Sequence, residues 1–152
     1  MQTNLSDFPL LTSARTLQPP EGFEACPIID PFEAYIGPYF RRRGPDGYEF
    51  CLPLDDRHLN AMGNAHGGML MTFADASMGL TAWEAVTDGP AVTLGMNLTF
   101  QSAAPAGSLL RITPRITRQT RSVLFIEGDL RVDDQIIAGA TSIWKILKAR
   151  TK

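Results

Sequence analysis

The sequence predicts an α+β domain: an antiparallel β-sheet packed on one central α-helix. Three observations predict it. Residues 69–83 form one apolar run without proline, long enough for about four turns of helix. After it, Val92, Leu94, Met96, Leu98 and Phe100 alternate with Thr93, Gly95, Asn97 and Thr99, the period of two expected of a half-buried strand. Breaks then recur at 104–107, 119–121 and 133–134, spaced for three further strands rather than for a second helix.

In chain order, residues 1–34 read as an N-terminal extension with one short helix over 8–16, ended by Pro19-Pro20. The domain itself is expected over 35–150. Its first segments, 35–43 and 48–54, flank Gly44-Pro45-Asp46-Gly47, a turn that makes them a hairpin. Residues 55–64 form a loop into the long helix, with Asn64 as the capping residue type ahead of His66-Gly67-Gly68. Asp88-Gly89-Pro90 stops the helix. Strands are expected over 92–100, 109–120, 122–132 and 136–147, as a meander of four. There are no internal repeats.

Composition bounds the function. A chain of 152 residues is one domain. A net charge of -2 with 20% charged residues leaves no electrostatic footprint for nucleic acid, and Arg41-Arg42-Arg43 reads as a solvated strand end. Cys26 and Cys51 form neither a CxxC pair nor a dense framework and read as packing thiols. No window is apolar enough for a transmembrane helix, and the N-terminus lacks a secretory pattern, so no membrane and a cytoplasmic location are expected. The spacing of Asp55, Asp56, His58 and His66 matches no metal-ligand motif, so neither metal nor cofactor is expected.

Asp75 carries the functional signal. From His58 to Trp83 it is the only formally charged residue, counting the histidines as neutral, and Met69, Leu70, Met71, Phe73, Met78 and Leu80 surround it. A carboxylate among apolar neighbours is paired, exposed at a cleft, or working as an acid or base. The helix opening at His66-Gly67-Gly68 supplies free amides at the positive end of the dipole, where a carbonyl oxygen gaining charge is stabilised. Together these suggest acyl transfer to water. Asp75 stands eight residues beyond Gly67, a rise of roughly 12 Å, so the two cannot reach one carbonyl within a single chain. If both act, they come from two copies, which points to a homodimer with interface sites.

Asn60-Ala-Met-Gly63-Asn-Ala-His66-Gly67-Gly68, then Asp75, then Val92-Thr93-Leu-Gly-Met-Asn97-Leu-Thr-Phe100 resembles the hotdog-fold acyl-CoA thioesterases of the phenylacetic-acid-degradation and thioesterase superfamily member 2 type. The likeness covers roughly residues 48–147. It implies a hotdog fold, a curved antiparallel sheet wrapped around one central helix, paired in dimers, with assembly to a homotetramer left open. It also implies hydrolysis of an acyl-CoA or acyl-carrier thioester. The Gly67 amide would polarise the carbonyl, and His66 and Gly68 would shape that loop. Asp75 of the partner chain would act as general base or nucleophile. Asn60 would orient the carbonyl or water, and Thr93 would lie near the attacking water. On this reading of the function, the apolar Met71, Phe73 and Met78 are expected to supply the acyl pocket. Gly79 departs from relatives that carry a hydroxyl there.

Other readings remain open at this point. A structural Asp75 would bond Thr72 or cross a dimer interface, and Asn60 and Asn64 would serve as turn and cap. Arg111, Arg115, Arg118 and Arg121 suit coenzyme A phosphates or a solvated strand edge. A non-catalytic acyl-CoA binding or regulatory hotdog protein would keep the fold without the chemistry. A hydratase or dehydratase of an acyl thioester would need a second acid or base, and His66 is the only histidine near Asp75 in this reading.

Overall fold

A computed structural model of the protein describes residues 18–27, 31–87 and 89–148. The short helix expected over 8–16 lies outside them. In order, the elements are β1 (Glu24–Ala25), α1 (Pro31–Ile36), β2 (Phe40–Gly44), β3 (Gly47–Pro53), a 3-10 turn (Asp56–His58), α2 (Gly67–Ala85), β4 (Ala91–Phe100), β5 (Leu109–Ile112), β6 (Arg115–Gln119), β7 (Val123–Val132) and β8 (Gln135–Ile146). The described strands form one antiparallel sheet in the order β1-β2-β3-β5-β7-β8-β4, with β6 also paired to β7. The sheet wraps α2, giving the expected α+β hotdog architecture.

Apolar side chains from both layers meet between sheet and helix. Phe73 and Met78 on α2, Phe50 and Leu52 on β3, Leu110 on β5, and Leu124 and Ile126 on β7 are at most 1% exposed. Each such side chain contributes on the order of 1.5–3 kcal/mol by leaving water. The hydroxyls of α2 do not disturb this layer. Thr72 Oγ1 donates to the Gly68 carbonyl at 2.9 Å, and Ser77 Oγ to that of Phe73 at 2.8 Å. In the last turn of the helix, Trp83 Nε1 donates to the Ala91 carbonyl at 2.9 Å and ties α2 to the start of β4.

Several expectations are corrected. Strand 109–120 is two strands, because Thr113-Pro114 interrupts it: proline has no amide to give the β7 ladder. The last strands are not a simple meander, since β4 pairs with β8 at the far edge and not with β5. The first hairpin strand begins at Phe40, and Tyr35 and Ile36 belong to α1. The described part of the extension joins the sheet: Ala25 pairs with Phe40, and the Cys26 amide donates to the Tyr39 carbonyl at 2.9 Å. A boundary after residue 34 therefore falls inside α1.

The junction of α1 with the loop before α2 is saturated with hydrogen bonds. Arg57 donates to both Asp55 carboxylate oxygens and, through Nη2, to the Gly37 carbonyl at 3.0 Å. His58 is buried; its Nδ1 accepts from the Asp55 amide at 3.0 Å, so Nε2 carries the proton that reaches the Ile36 carbonyl at 2.8 Å. The same His58 offers its carbonyl to the His66 amide at 2.7 Å. This corner is the footing on which the start of α2 stands.

Candidate active site

The first turn of α2 is built by its flanking loop. His66, not Asn64, is the N-cap: its backbone is extended and its Nδ1 accepts from the Gly68 amide at 3.0 Å. Asn64 is held elsewhere, bridging to Pro105. Because Nδ1 accepts, the neutral ring carries its proton on Nε2 and presents a donor outward. The Leu70 amide takes the His66 carbonyl at 3.0 Å. Among the described residues, the Gly67 amide has no acceptor. Sequence reasoning treated the first amides as equally free. His66 occupies the second and leaves the first.

Asn60 sits at the start of that loop and organises it. Its Oδ1 accepts from the Met62 amide at 2.9 Å and the Asn64 amide at 3.3 Å, and its own amide donates to the Asn64 carbonyl at 2.7 Å. The turn role that was one alternative is thus occupied by Asn60, through its oxygen, while Nδ2 has no acceptor among the described residues.

Asp75 lies two turns along α2, partly exposed. Thr93 Oγ1 donates to its Oδ1 at 2.8 Å. Thr72, the other expected partner, bonds the Gly68 carbonyl instead. Among the described residues Asp75 forms no ion pair. Strict alternation would put Thr93 on the side of the sheet away from Met96 and Leu98. A bulge between Thr93 and Gly95 reverses this: Thr93 pairs with Trp144, Gly95 with Ile143, and Leu94 is the extra residue. Ala91 and Thr93 therefore share the helix-facing side with Met96 and Leu98, which pair with the buried Ser142 and Ala140. The bulge aims the hydroxyl at the carboxylate.

Other predicted residues divide. Met71 is 40% exposed, one turn from Gly67 and one turn from Asp75, on the same open strip of α2. Met78 and Phe73 are fully buried in the core, with Ser142 Oγ 3.1 Å from the Met78 sulfur, so within one chain they support the strip and do not line it. Gly79 has a steric reason: a Cβ there would come within 3.0 Å of the Trp144 ring. Phe100 is the residue missed as more than a strand position. Its ring covers Gly67, where a Cβ would lie 3.2 Å from Cζ, yet it is 53% exposed. The sequence carries no signal for this, because the alternation groups Phe100 with the core-facing Leu98 and Met96.

The surroundings add no competing chemistry. Burial alone would raise the Asp55 carboxyl, but hydrogen bonds from the Arg57 side chain and amide outweigh it and hold Asp55 below the ordinary carboxylate value. Arg111 stands 3.8 Å from Glu49, and Arg115 pairs with Glu127. Among the described residues no cluster of His, Cys, Asp and Glu is placed to hold a metal ion, and no helix is long and apolar enough to cross a membrane. An open groove of about 1000 Å³ lies on the outer face of the sheet along Asn97, Thr99, Glu127 and Thr141. Arg115, one of the four arginines considered for coenzyme A phosphates, lines it, whereas Asn60, His66, Gly67, Gly68, Met71, Asp75, Met78 and Thr93 do not. The chemistry-bearing groups converge instead on the strip between α2 and β4.

Residues 62–138 match the Thioesterase superfamily. The chain is similar to a putative esterase of Pseudomonas aeruginosa, 30% identical over 129 residues that cover 84% of this chain and 96% of that protein. It is also similar to acyl-coenzyme A thioesterase 13 of Homo sapiens, 30% identical over 102 residues, 65% of this chain and 71% of that one. Among solved structures, thioesterase superfamily member 2 from Mus musculus superposes with a TM-score of 0.66 at 24% identity, over 75% of this chain and 86% of that chain.

Proposed function

The chain belongs to the Thioesterase superfamily, and from that membership we propose that it hydrolyses an acyl-CoA thioester at a site shared between two copies. The observation that carries this reading is the division of labour along α2: among the described residues, one unoccupied amide at Gly67, and one carboxylate, Asp75, that is met by a neutral hydroxyl and no cation. The similarity to an acyl-coenzyme A thioesterase supports the carrier. Free buried thiols at Cys26 and Cys51 accord with a reducing, cytoplasmic setting.

The thioester carbonyl sits at the start of α2 and accepts from the Gly67 amide, with the Asn60 Nδ2 and His66 Nε2 protons on the same side. The partner subunit's Thr93 holds Oδ1 of the partner subunit's Asp75, leaving Oδ2 to take a proton from water as that water attacks the carbonyl carbon. The tetrahedral oxyanion is stabilised by the Gly67 amide and the dipole behind it. Collapse breaks the carbon–sulfur bond and the departing thiolate takes up the proton, giving free acid and CoA. Gly68 keeps the loop close, since His66 packs on its backbone. Met71 faces the acyl group.

The two-copy requirement has its own test. Asn60→Ala and Asp75→Asn proteins, each nearly inactive, are mixed under conditions that exchange subunits, and thiol release from acyl-CoA is followed. Half of randomly paired dimers are mixed and each regains one site, so activity returns to roughly a quarter of wild type. No recovery despite demonstrated exchange removes the shared site, and no thiol release by wild type on any acyl-CoA removes the activity.

A further inference from the structure

Alanine is the best helix former and glycine, proline apart, the worst, yet Gly79 stands well inside α2, one turn beyond Asp75 and on the same face. What excludes a side chain there is the ring of Trp144 on β8: a Cβ on Gly79 would lie 3.0 Å from Cη2 and 3.4 Å from Cζ3. The ring has no room to step aside. Trp144 is 4% exposed, its Nε1 donates to Ser142 Oγ at 2.8 Å, and that hydroxyl in turn meets the Met78 sulfur and the Ile126 carbonyl. Trp144 is also the residue opposite Thr93 in the ladder between β4 and β8, at the bulge that turns the hydroxyl toward α2. Residues opposite each other in an antiparallel pair stand side by side on one face. One indole therefore touches the helix a turn past the carboxylate, and its strand neighbour donates the hydroxyl hydrogen bond that the carboxylate accepts.

We propose that Gly79 and Trp144 are a spacer pair: bare helix backbone resting on the indole sets the height of α2 above β4 and β8, and that height positions Asp75 within hydrogen-bonding reach of Thr93. This rests on the catalytic reading of Asp75 above and adds two positioning residues to it. The tolerances are narrow. Carbon atoms pack at about 3.5–4.0 Å, so a methyl group at position 79 would lift this part of α2 by roughly 0.5–1 Å. Thr93 Oγ1 lies 2.8 Å from Asp75 Oδ1, and hydrogen bonds between oxygens span only about 2.5–3.0 Å. A lift of that size breaks the bond. It spares the Gly67 amide, about three turns away, which is set by the separate His66 cap. The loss should therefore fall on the proton-transfer step and leave the binding of the carbonyl in place.

The test is a set of full-length variants assayed for thiol release from acyl-CoA, with their crystal structures determined. Gly79→Ala should lower kcat about tenfold with KM within about twofold of wild type, and its Thr93–Asp75 contact should open beyond about 3.5 Å. In a Thr93→Val background the same substitution should lower kcat by less than about twofold, because the bond it breaks is already gone, whereas general damage to the fold would add in full. Adding Trp144→Phe, whose ring ends short of the indole Cη2, should close the contact and return kcat to within about threefold of wild type. Where Gly79→Ala alone does not fold, the comparison is Gly79→Ala/Trp144→Tyr against Gly79→Ala/Trp144→Phe, the longer side chain giving the longer contact and the lower kcat. A Gly79→Ala structure with the contact still at 2.8 Å, a wild-type kcat in that variant, no recovery with Trp144→Phe, or equal contacts and rates in the tyrosine and phenylalanine pair overturns the spacer. A wild type that releases no thiol, while the contact opens in Gly79→Ala and closes in the double variant, sinks the hydrolase and leaves the spacing of α2 as assigned.

Discussion

Two stretches of the molecule, residues 55–58 and 66–75, each combine an aspartate with a histidine. At Asp55–His58 every valence is used: Arg57 covers both Asp55 oxygens, and both ring nitrogens of His58 meet backbone groups. Along His66–Asp75 the same residue types are half used. Among the described residues, His66 spends only Nδ1, and Asp75 receives one hydroxyl on Oδ1. The first corner is a joint, and its hydrogen bonds hold α1 to the loop. Among the described residues, the second keeps a proton donor free beside the open Gly67 amide and, two turns along α2, a free carboxylate oxygen, the groups that the proposed reaction needs and a joint does not. Residue type does not separate function from structure here. The number of unspent hydrogen-bonding positions does.

The largest effect should follow Asp75→Asn. Shape and the Thr93 contact survive, basicity is lost, and kcat for thioester hydrolysis should fall by about 10²-fold or more with an unchanged melting temperature. A folded Asp75→Asn protein turning over at the wild-type rate would make the two corners chemically equivalent. Next comes Thr93→Val, which keeps the β-branched shape on β4 and removes the donor to Oδ1. With the carboxylate no longer held, kcat should drop about tenfold, the scale of one charge-assisted hydrogen bond. Thr93→Ser should restore most of it, an outcome a purely packing role for Thr93 does not predict.

Sequence alone revealed much of this, for identifiable physical reasons. The long helix was legible because an apolar run without proline meets a Gly89-Pro90 stop, and its limits at Gly67 and Ala85 lie within two residues of expectation. Asp75 was legible because a single charge in an uncharged run is costly anywhere. The face of Thr93 was hidden, because the bulge at Leu94 exists only through pairing with Ile143 and Trp144 of β8, some fifty residues away. The split of 109–120 had a visible cause in Pro114 that the alternation outweighed. His66 and Asn64 both carry side-chain acceptors, so the choice of cap rested on the bridge that removes Asn64 to Pro105. Met78 was placed in a pocket by its apolarity, and its position on the helix turns it into the core.

The mildest test concerns the joint itself. Asp55→Asn removes the charge that Arg57 grips but leaves Asp75, Gly67 and Thr93 untouched, so kcat per folded molecule should change less than about twofold while stability falls by about 2 kcal/mol at neutral pH, the scale of hydrogen bonds to a charged group. The pH dependence of that loss identifies its cause. Because the folded protein holds the Asp55 carboxyl below its ordinary value of 3.8, the stabilisation is fully present above that value and is lost as pH falls through the lower folded one. Denaturant midpoints of wild type and Asp55→Asn should therefore stay apart above about pH 4 and converge below it, where wild-type Asp55 is protonated and no longer an ion-pair partner. A gap that persists unchanged to pH 2 would assign the loss to altered packing around Arg57, and the saturated corner would then owe its strength to shape rather than to charge.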